Sequence, residues 1–338
     1  MLALGAAASG SASTRTATAT SAASARCNVP FVGSVESGLP TRYPTPKAKH
    51  LTIGLLDPNR STEVLSTMFD AAKAEIKKLG GHAIELDAQL DPDTQVRQFE
   101  SLLDQKVDAI SGYGILGPSV LAPLLKKAAA AQIPVVLPDL TPGSRAKVPG
   151  VISQIWQGRD RLAYLQAKAA CQMLPAHAKV ALIGLAVPVP LFQYMAKEQQ
   201  HWARKFGLNI VATAQSPNDT VSGGQQAATG LLARYPDLQG ILGYNDEPAI
   251  GAALAARSAG RQDVKTFGVE AGSLGRSAIK NGRLTASVFL DARDEGTKMA
   301  MALYDAAEGV KIPSLVSSGH PYIVTSKNVD AVPEGGSK

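Results

Sequence analysis

Asn245 and Asp246 follow the apolar run 240–244 and precede Pro248 and the helix-forming stretch 249–256. The unit spelled out is strand, polar corner, helix, because a short apolar run reads as a buried strand and proline suits a first helical turn. In an open parallel sheet such corners lie outside the carboxyl ends of the strands, where ligands bind. Asn245 brings a donor and acceptors without charge, enough to hold a hydroxyl or carbonyl. Capping the next helix is the plainer use of the same pair. Asp139, after the expected strand 134–137, and Glu270, after the expected strand 265–269, stand at corners of the same kind.

A second chemistry is written in Gly112-x-Gly114-x-x-Gly117, which follows one expected strand and precedes an expected helix. Asp139 lies about twenty residues further on, the spacing of a dinucleotide fingerprint, so an NAD(P)-dependent oxidoreductase is the alternative reading. Against it, two strand–helix units precede the motif, whereas the fingerprint usually opens its domain. The five histidines are scattered, and no Cys-x-x-Cys, phosphate-loop or Gly-x-Ser-x-Gly pattern occurs. The ordinary signatures of metal, nucleotide-triphosphate and hydrolase chemistry are thus missing, and no cofactor, metal or catalysed reaction is expected.

Aromatic residues make up 5% of the chain, so those near expected strand ends carry weight. Tyr113, Trp156 and Phe192 could stack on the apolar face of a ligand or serve as packing. Arg60 and Glu63, after the first strand, fit hydroxyl binding or a surface ion pair. Gln157 and Arg159 are open to the same two uses, and Asp57 suits the turn through Pro58.

These residues need a scaffold, and 338 residues suffice for two domains. A hydrophobic fraction of 45% and a charged fraction of 18% describe a soluble globular chain, and the net charge of +6 is scattered rather than gathered in a nucleic-acid-binding stripe. Residues 1–26, rich in Ala, Ser and Thr, read as a disordered leader or the remnant of an export signal. Residues 27–48, with four prolines, read as an extended arm. From residue 50 the pattern alternates strand (51–56, 82–86, 108–111, 134–137) with helix (62–79, 92–103, 118–131), which means a parallel sheet with helices on both faces. The alternation restarts at 179–185 and runs to a helix at 273–280. A leftover strand–helix–strand follows at 284–290, 294–308 and 322–325, so the chain is expected to return to its first lobe.

The chain resembles the type I periplasmic sugar-binding proteins, the ribose-binding family of transporter receptors. The matching pieces are Leu51-Thr-Ile-Gly-Leu-Leu56, Ala131-Gln-Ile-Pro-Val-Val-Leu-Pro-Asp139, Tyr244-Asn-Asp-Glu-Pro-Ala-Ile-Gly-Ala252 and Thr266-Phe-Gly-Val-Glu270, in that order. The resemblance covers about residues 49–327 and implies an α/β fold of two doubly wound parallel-sheet lobes joined by three crossovers, near Trp156, Leu290-Asp291 and Ser318-Gly319. It implies an N-terminal lobe of 49–156 plus 291–319 and a C-terminal lobe of 157–290 plus 320–338. Asp139 and Asn245 match residues that grip sugar hydroxyls in that family, and Glu270 stands where an aspartate is usual. Leu140 and Met195 replace expected arginines, and Arg60-Ser-Thr-Glu63 replaces paired phenylalanines. The resemblance thus implies a monomeric, exported receptor, periplasmic or extracellular, that passes a small polyhydroxy ligand (monosaccharide, polyol or amino sugar) to a membrane ABC permease. A repressor core shares the fold but would need an N-terminal helix-turn-helix, which the leader and arm do not supply. Export permits a disulfide, and pairing Cys27 with Cys171 would pin the arm to the body; a buried free Cys171 is the alternative.

Overall fold

The structure is a computed structural model of the chain and describes residues 25–33, 50–112, 114–138 and 148–333. Two parallel sheets organise it. The first contains β1 (Thr52–Asp57), β2 (His82–Asp87), β3 (Ala109–Gly112), β4 (Val135–Pro138), β5 (Ser153–Trp156) and β11 (Leu315–Ser317), in the order β11-β5-β4-β3-β1-β2. The second contains β6 (Lys179–Leu185), β7 (Asn209–Ser216), β8 (Gly240–Gly243) and β9 (Lys265–Phe267), in the order β7-β6-β8-β9. Near its β9 edge, β10 (Ser287–Val288) pairs antiparallel with β12 (Ile323–Val324).

Helices cover both faces of each sheet, because strands such as Ile53–Leu56 are buried on both sides. On the first sheet α1 (Glu63–Lys78) shares one face with α9 (Ala292–Ala307), through Phe69, Ile76, Leu303 and Tyr304. On the other face, α2 (Pro92–Asp104) and α3 (Pro118–Ala130) bury Phe99, Leu102 and Leu125. Gly296 lets α9 and α1 touch, since a Cβ there would stand 2.0 Å from the Met68 carbonyl oxygen. On the second sheet α4 (Arg159–Met173) and α5 (Pro190–Lys205) cover one face, and α6 (Val221–Arg234) and α7 (Asp246–Ser258) the other. Some helix starts carry a side-chain cap: Asp91 accepts from Thr94 N at 2.6 Å, and Asp291 from Asp294 N at 3.0 Å.

The two doubly wound lobes are as expected, and α9 does return to the first sheet. Three strands depart from the sequence reading. β5 and β11, four and three residues long, were not expected as strands. The expected strand 284–290 is reduced to Ser287–Val288, with isolated bridges at Ala286 and Phe289. The chain passes between the sheets after Trp156, around Leu290 and after Ser317. These connections lie side by side, with Ser318 N donating to the Trp156 carbonyl at 2.9 Å.

Cys27 and Cys171 form a disulfide with Cα atoms 5.8 Å apart. It fastens residues 25–33 to α4, helped by Arg26, whose guanidinium donates to the carbonyls of Cys171 and Leu174 at 2.7 and 3.0 Å. Phe31 joins Tyr164 and Trp202 in an aromatic cluster.

Candidate functional site

The carboxyl ends of both sheets face one cleft, and both lobes line the cavity of about 70 Å³ within it. The first lobe contributes Asn59, Thr62, Val64, Leu65, Met68 and Ile115; the second contributes Arg159, Leu191, Phe192, Asp219, Asn245 and Glu270.

Asn245 comes from the corner between β8 and α7. It stands at the N-cap position, yet its side chain makes no capping bond. Its Nδ2 donates instead to Asp219 Oδ1 at 2.8 Å, and the Tyr244 hydroxyl donates to the same oxygen at 2.6 Å. That leaves Asn245 Oδ1 without a hydrogen-bond partner among the described residues, in a side chain only 1% exposed. A buried acceptor of this kind costs free energy until something donates to it, which points to a ligand.

Glu270 follows β9 with φ at 114°, and Ala271 after it has φ at 48°. Both lie in a region that L residues avoid, at a cost of about 1–3 kcal/mol each. The conformation is imposed by the neighbouring segment: Glu270 N donates to the Val288 carbonyl at 2.7 Å, and Leu290 N donates to the Glu270 carbonyl at 3.1 Å. Ala271 N donates to Ser287 Oγ at 3.0 Å, and Ser287 Oγ donates to buried Asp246 at 2.6 Å. Beneath the corners, Gln166 donates to the carbonyls of Gly243 and Phe267 at 2.7 and 2.9 Å, holding the ends of β8 and β9 in place.

Carboxylates crowd this wall. Burial, then the charges of Glu247, Asp246 and Asp219, hold the Glu270 carboxyl well above the usual range, opposed by Arg159. Burial and the Asp219 charge push Glu247 up to about 7. Arg159, at the start of α4, is buried and lines the cavity.

The lobes touch across the cleft. Glu63, in the first turn of α1, accepts from the backbone N–H groups of Ser273 and Leu274 at 2.6 and 3.2 Å. These open α8 (Ser273–Lys280), in the second lobe.

The description periplasmic binding protein domain matches residues 53–311. The chain belongs to that family. It is 27% identical to the ribose import binding protein of Bacillus subtilis strain 168, over 80% of this chain and 86% of that one. It is 29% identical to the D-ribose/D-allose-binding protein of Pseudomonas aeruginosa, over 70% of this chain and 75% of that one. A solved ABC transporter solute-binding protein from Mycobacterium smegmatis, with bound glycerol, superposes at a TM-score of 0.74 and 26% identity, covering 84% of this chain and 97% of that one. A periplasmic binding protein is a solute binder by family, and Gly112-x-Gly114-x-x-Gly117 finds a different use here. Gly114 and Gly117 line the cavity, and Gly117 precedes α3, so nothing supports the dinucleotide alternative.

Of the residues singled out in the sequence, Asn245, Glu270 and Phe192 meet in the cavity lining. Phe192 packs on Tyr244 with ring centroids 4.8 Å apart. Tyr113 and Asp139 lie outside the described residues. Trp156 is 1% exposed and packs with Leu315 and Tyr194 rather than lining the cavity. Arg60 is turned to the first lobe's surface, where it pairs with Asp70 and Glu85, both at 2.5 Å. Glu63 meets the second lobe's backbone instead of the cavity. Asp57 accepts from Asn59 N at 2.9 Å, as its turn requires, and burial pushes it up to about 7. Sequence reading passed over Asp219. Its signal was the Ser216-Pro-Asn-Asp-Thr220 turn at the carboxyl end of β7, a corner of the same kind as Asn245.

Proposed function

We propose that this protein is the extracytoplasmic receptor of an ABC importer, closing its lobes on a small polyhydroxy ligand without changing it chemically. The observation that carries this reading is the cavity lined from both lobes with Asp219, Asn245 and Glu270 at strand ends. The names of the relatives, which bind ribose or allose, support the ligand class. The reading includes export to the periplasm or cell exterior, a membrane permease as partner, and a monomeric receptor. The lobes it uses are 49–156 plus 291–319 and 157–290 plus 320–338.

A thermal-shift screen of sugars, polyols and amino sugars tests it, since a ligand of the native state raises the melting temperature by mass action. A hit should also compact the protein in solution scattering, as closure shifts the population of lobe arrangements. Recovery of a chemically altered ligand, or scattering unchanged by a ligand shown to bind, contradicts the reading.

A further inference from the structure

One wall of the cavity is built from acceptors. Among the described residues, Asp219 Oδ1 takes two hydrogen bonds, from Tyr244 and Asn245, while Asp219 Oδ2 receives only a long contact of 3.5 Å from Thr62 Oγ1 across the cleft. Because Asn245 turns its Nδ2 to that carboxylate, its Oδ1 is left as a buried, unpartnered acceptor. Glu270 adds a second carboxylate to the same wall. A hydroxyl gives such a wall one donor and brings lone pairs of its own, whereas an ammonium gives three donors and brings no acceptor.

Charge points the same way. Among the described residues lining the cavity, Asp219, Glu270 and Glu295 are acidic and Arg159 is basic. Glu247, behind the wall, adds its repulsion to that on Glu270. Burial first, and then this repulsion, hold the Glu270 carboxyl high, and an ammonium seated against it favours its ionised form. The lining also holds apolar Val64, Leu65, Met68, Ile115 and Leu191, suited to a carbon skeleton, beside polar Asn59 and Thr62.

We infer that the ligand carries a protonated amine, seated against Asp219, Asn245 and Glu270, on a small hydroxylated skeleton: an amino sugar or an amino polyol. The inference rests on the sugar-or-polyol receptor reading above and narrows it.

Calorimetric titration of the full chain with matched pairs tests it: glucose and glucosamine, ribitol and 1-amino-1-deoxyribitol, myo-inositol and its mono-amino derivative. In at least one pair the amine should bind about ten-fold or more tightly than its hydroxyl partner, the scale of a charge-assisted hydrogen bond. Glu270→Gln and Asp219→Asn should each cut that preference below about three-fold, since a neutral amide keeps the shape but loses the charge assistance. Asp219 also holds Tyr244, so if Asp219→Asn fails to fold, the near-isosteric Glu270→Gln carries the test alone. Equal or tighter binding of the neutral member in every pair that binds overturns the amine and leaves the sugar-or-polyol reading standing. A preference that survives Glu270→Gln overturns it too. Silence of both members in all pairs overturns the amine and the sugar-or-polyol reading together.

Discussion

The carboxylate of Glu63 caps a helix of the other lobe, accepting from Ser273 N at 2.6 Å across the cleft. The bond joins a first-lobe helix to the positive end of α8, and its two partners are 210 residues apart in the chain. Glu63 does not line the cavity, so it acts on binding only through closure. A carboxylate at a helix N-terminus contributes about 0.3–1 kcal/mol, and up to about 2 where partly buried. Glu63→Ala should therefore weaken ligand affinity roughly two- to thirty-fold while leaving the unfolding midpoint near that of the parent. Calorimetry with any ligand from the screen checks this; parental affinity in the variant would show that the contact does not bias closure.

The second prediction concerns the wall of acceptors. Asn245→Ala removes the link to Asp219 and the unpartnered Oδ1 together, and should lower affinity by about 1–3 kcal/mol, roughly 5- to 150-fold. Asp139→Ala tests the position inherited from the family resemblance. Asp87→Ala is the comparison: its carboxylate accepts from Arg60 N and Gln89 N outside the cavity lining, so binding should stay within about two-fold of the parent. If Asn245→Ala binds like Asp87→Ala, the ligand sits in a different crevice.

The third concerns pH. Asp57 and Glu247 are each raised to about 7 chiefly by burial, and Glu270 is raised in the same direction. A carboxyl raised in the folded state holds a proton that the unfolded chain has released. Between the ordinary carboxyl range, about 4, and the folded values, the native state binds more protons, and stability falls as pH rises. The urea midpoint of the ligand-free protein should decline from pH 5 to pH 8. Glu247→Gln should flatten that slope; a midpoint rising through the same window would contradict the assignment.

The fourth concerns the arm. The Cys27–Cys171 bridge spans 144 residues of chain, a long loop whose closure restricts the unfolded state. Replacing both cysteines with serine should cost about 2–5 kcal/mol by that mechanism. Residues 25–33 should then become sensitive to limited proteolysis, although Tyr164 still offers its hydroxyl to the Val29 carbonyl. An unchanged denaturation midpoint would mean that the aromatic cluster around Phe31 holds the arm without the bridge.

Much of this protein was legible in one dimension, because periodicity and corner chemistry are local. Alternating apolar runs and amphipathic stretches dictate parallel sheets clothed by helices, and a polar residue just past such a run, as at Asn245 and Glu270, falls at the mouth of the sheet. The family's own motifs carried the two-lobed plan. Other features depended on which segments meet in space. β5 and β11 become strands because the first sheet offers them a paired edge, not through any pattern of their own. Arg60 and Glu63 are neighbours with similar prospects in the sequence, yet one turns to Asp70 and Glu85 and the other crosses to Ser273. Asp219 looks like an ordinary turn residue until Tyr244 and Asn245 fold against it. Local sequence thus determined the elements and the end of each sheet at which a ligand would sit. The partners of the charged side chains were decided by tertiary packing, within one lobe for Arg60 and between lobes for Glu63, because hydrogen bonds and desolvation depend on groups brought together in space.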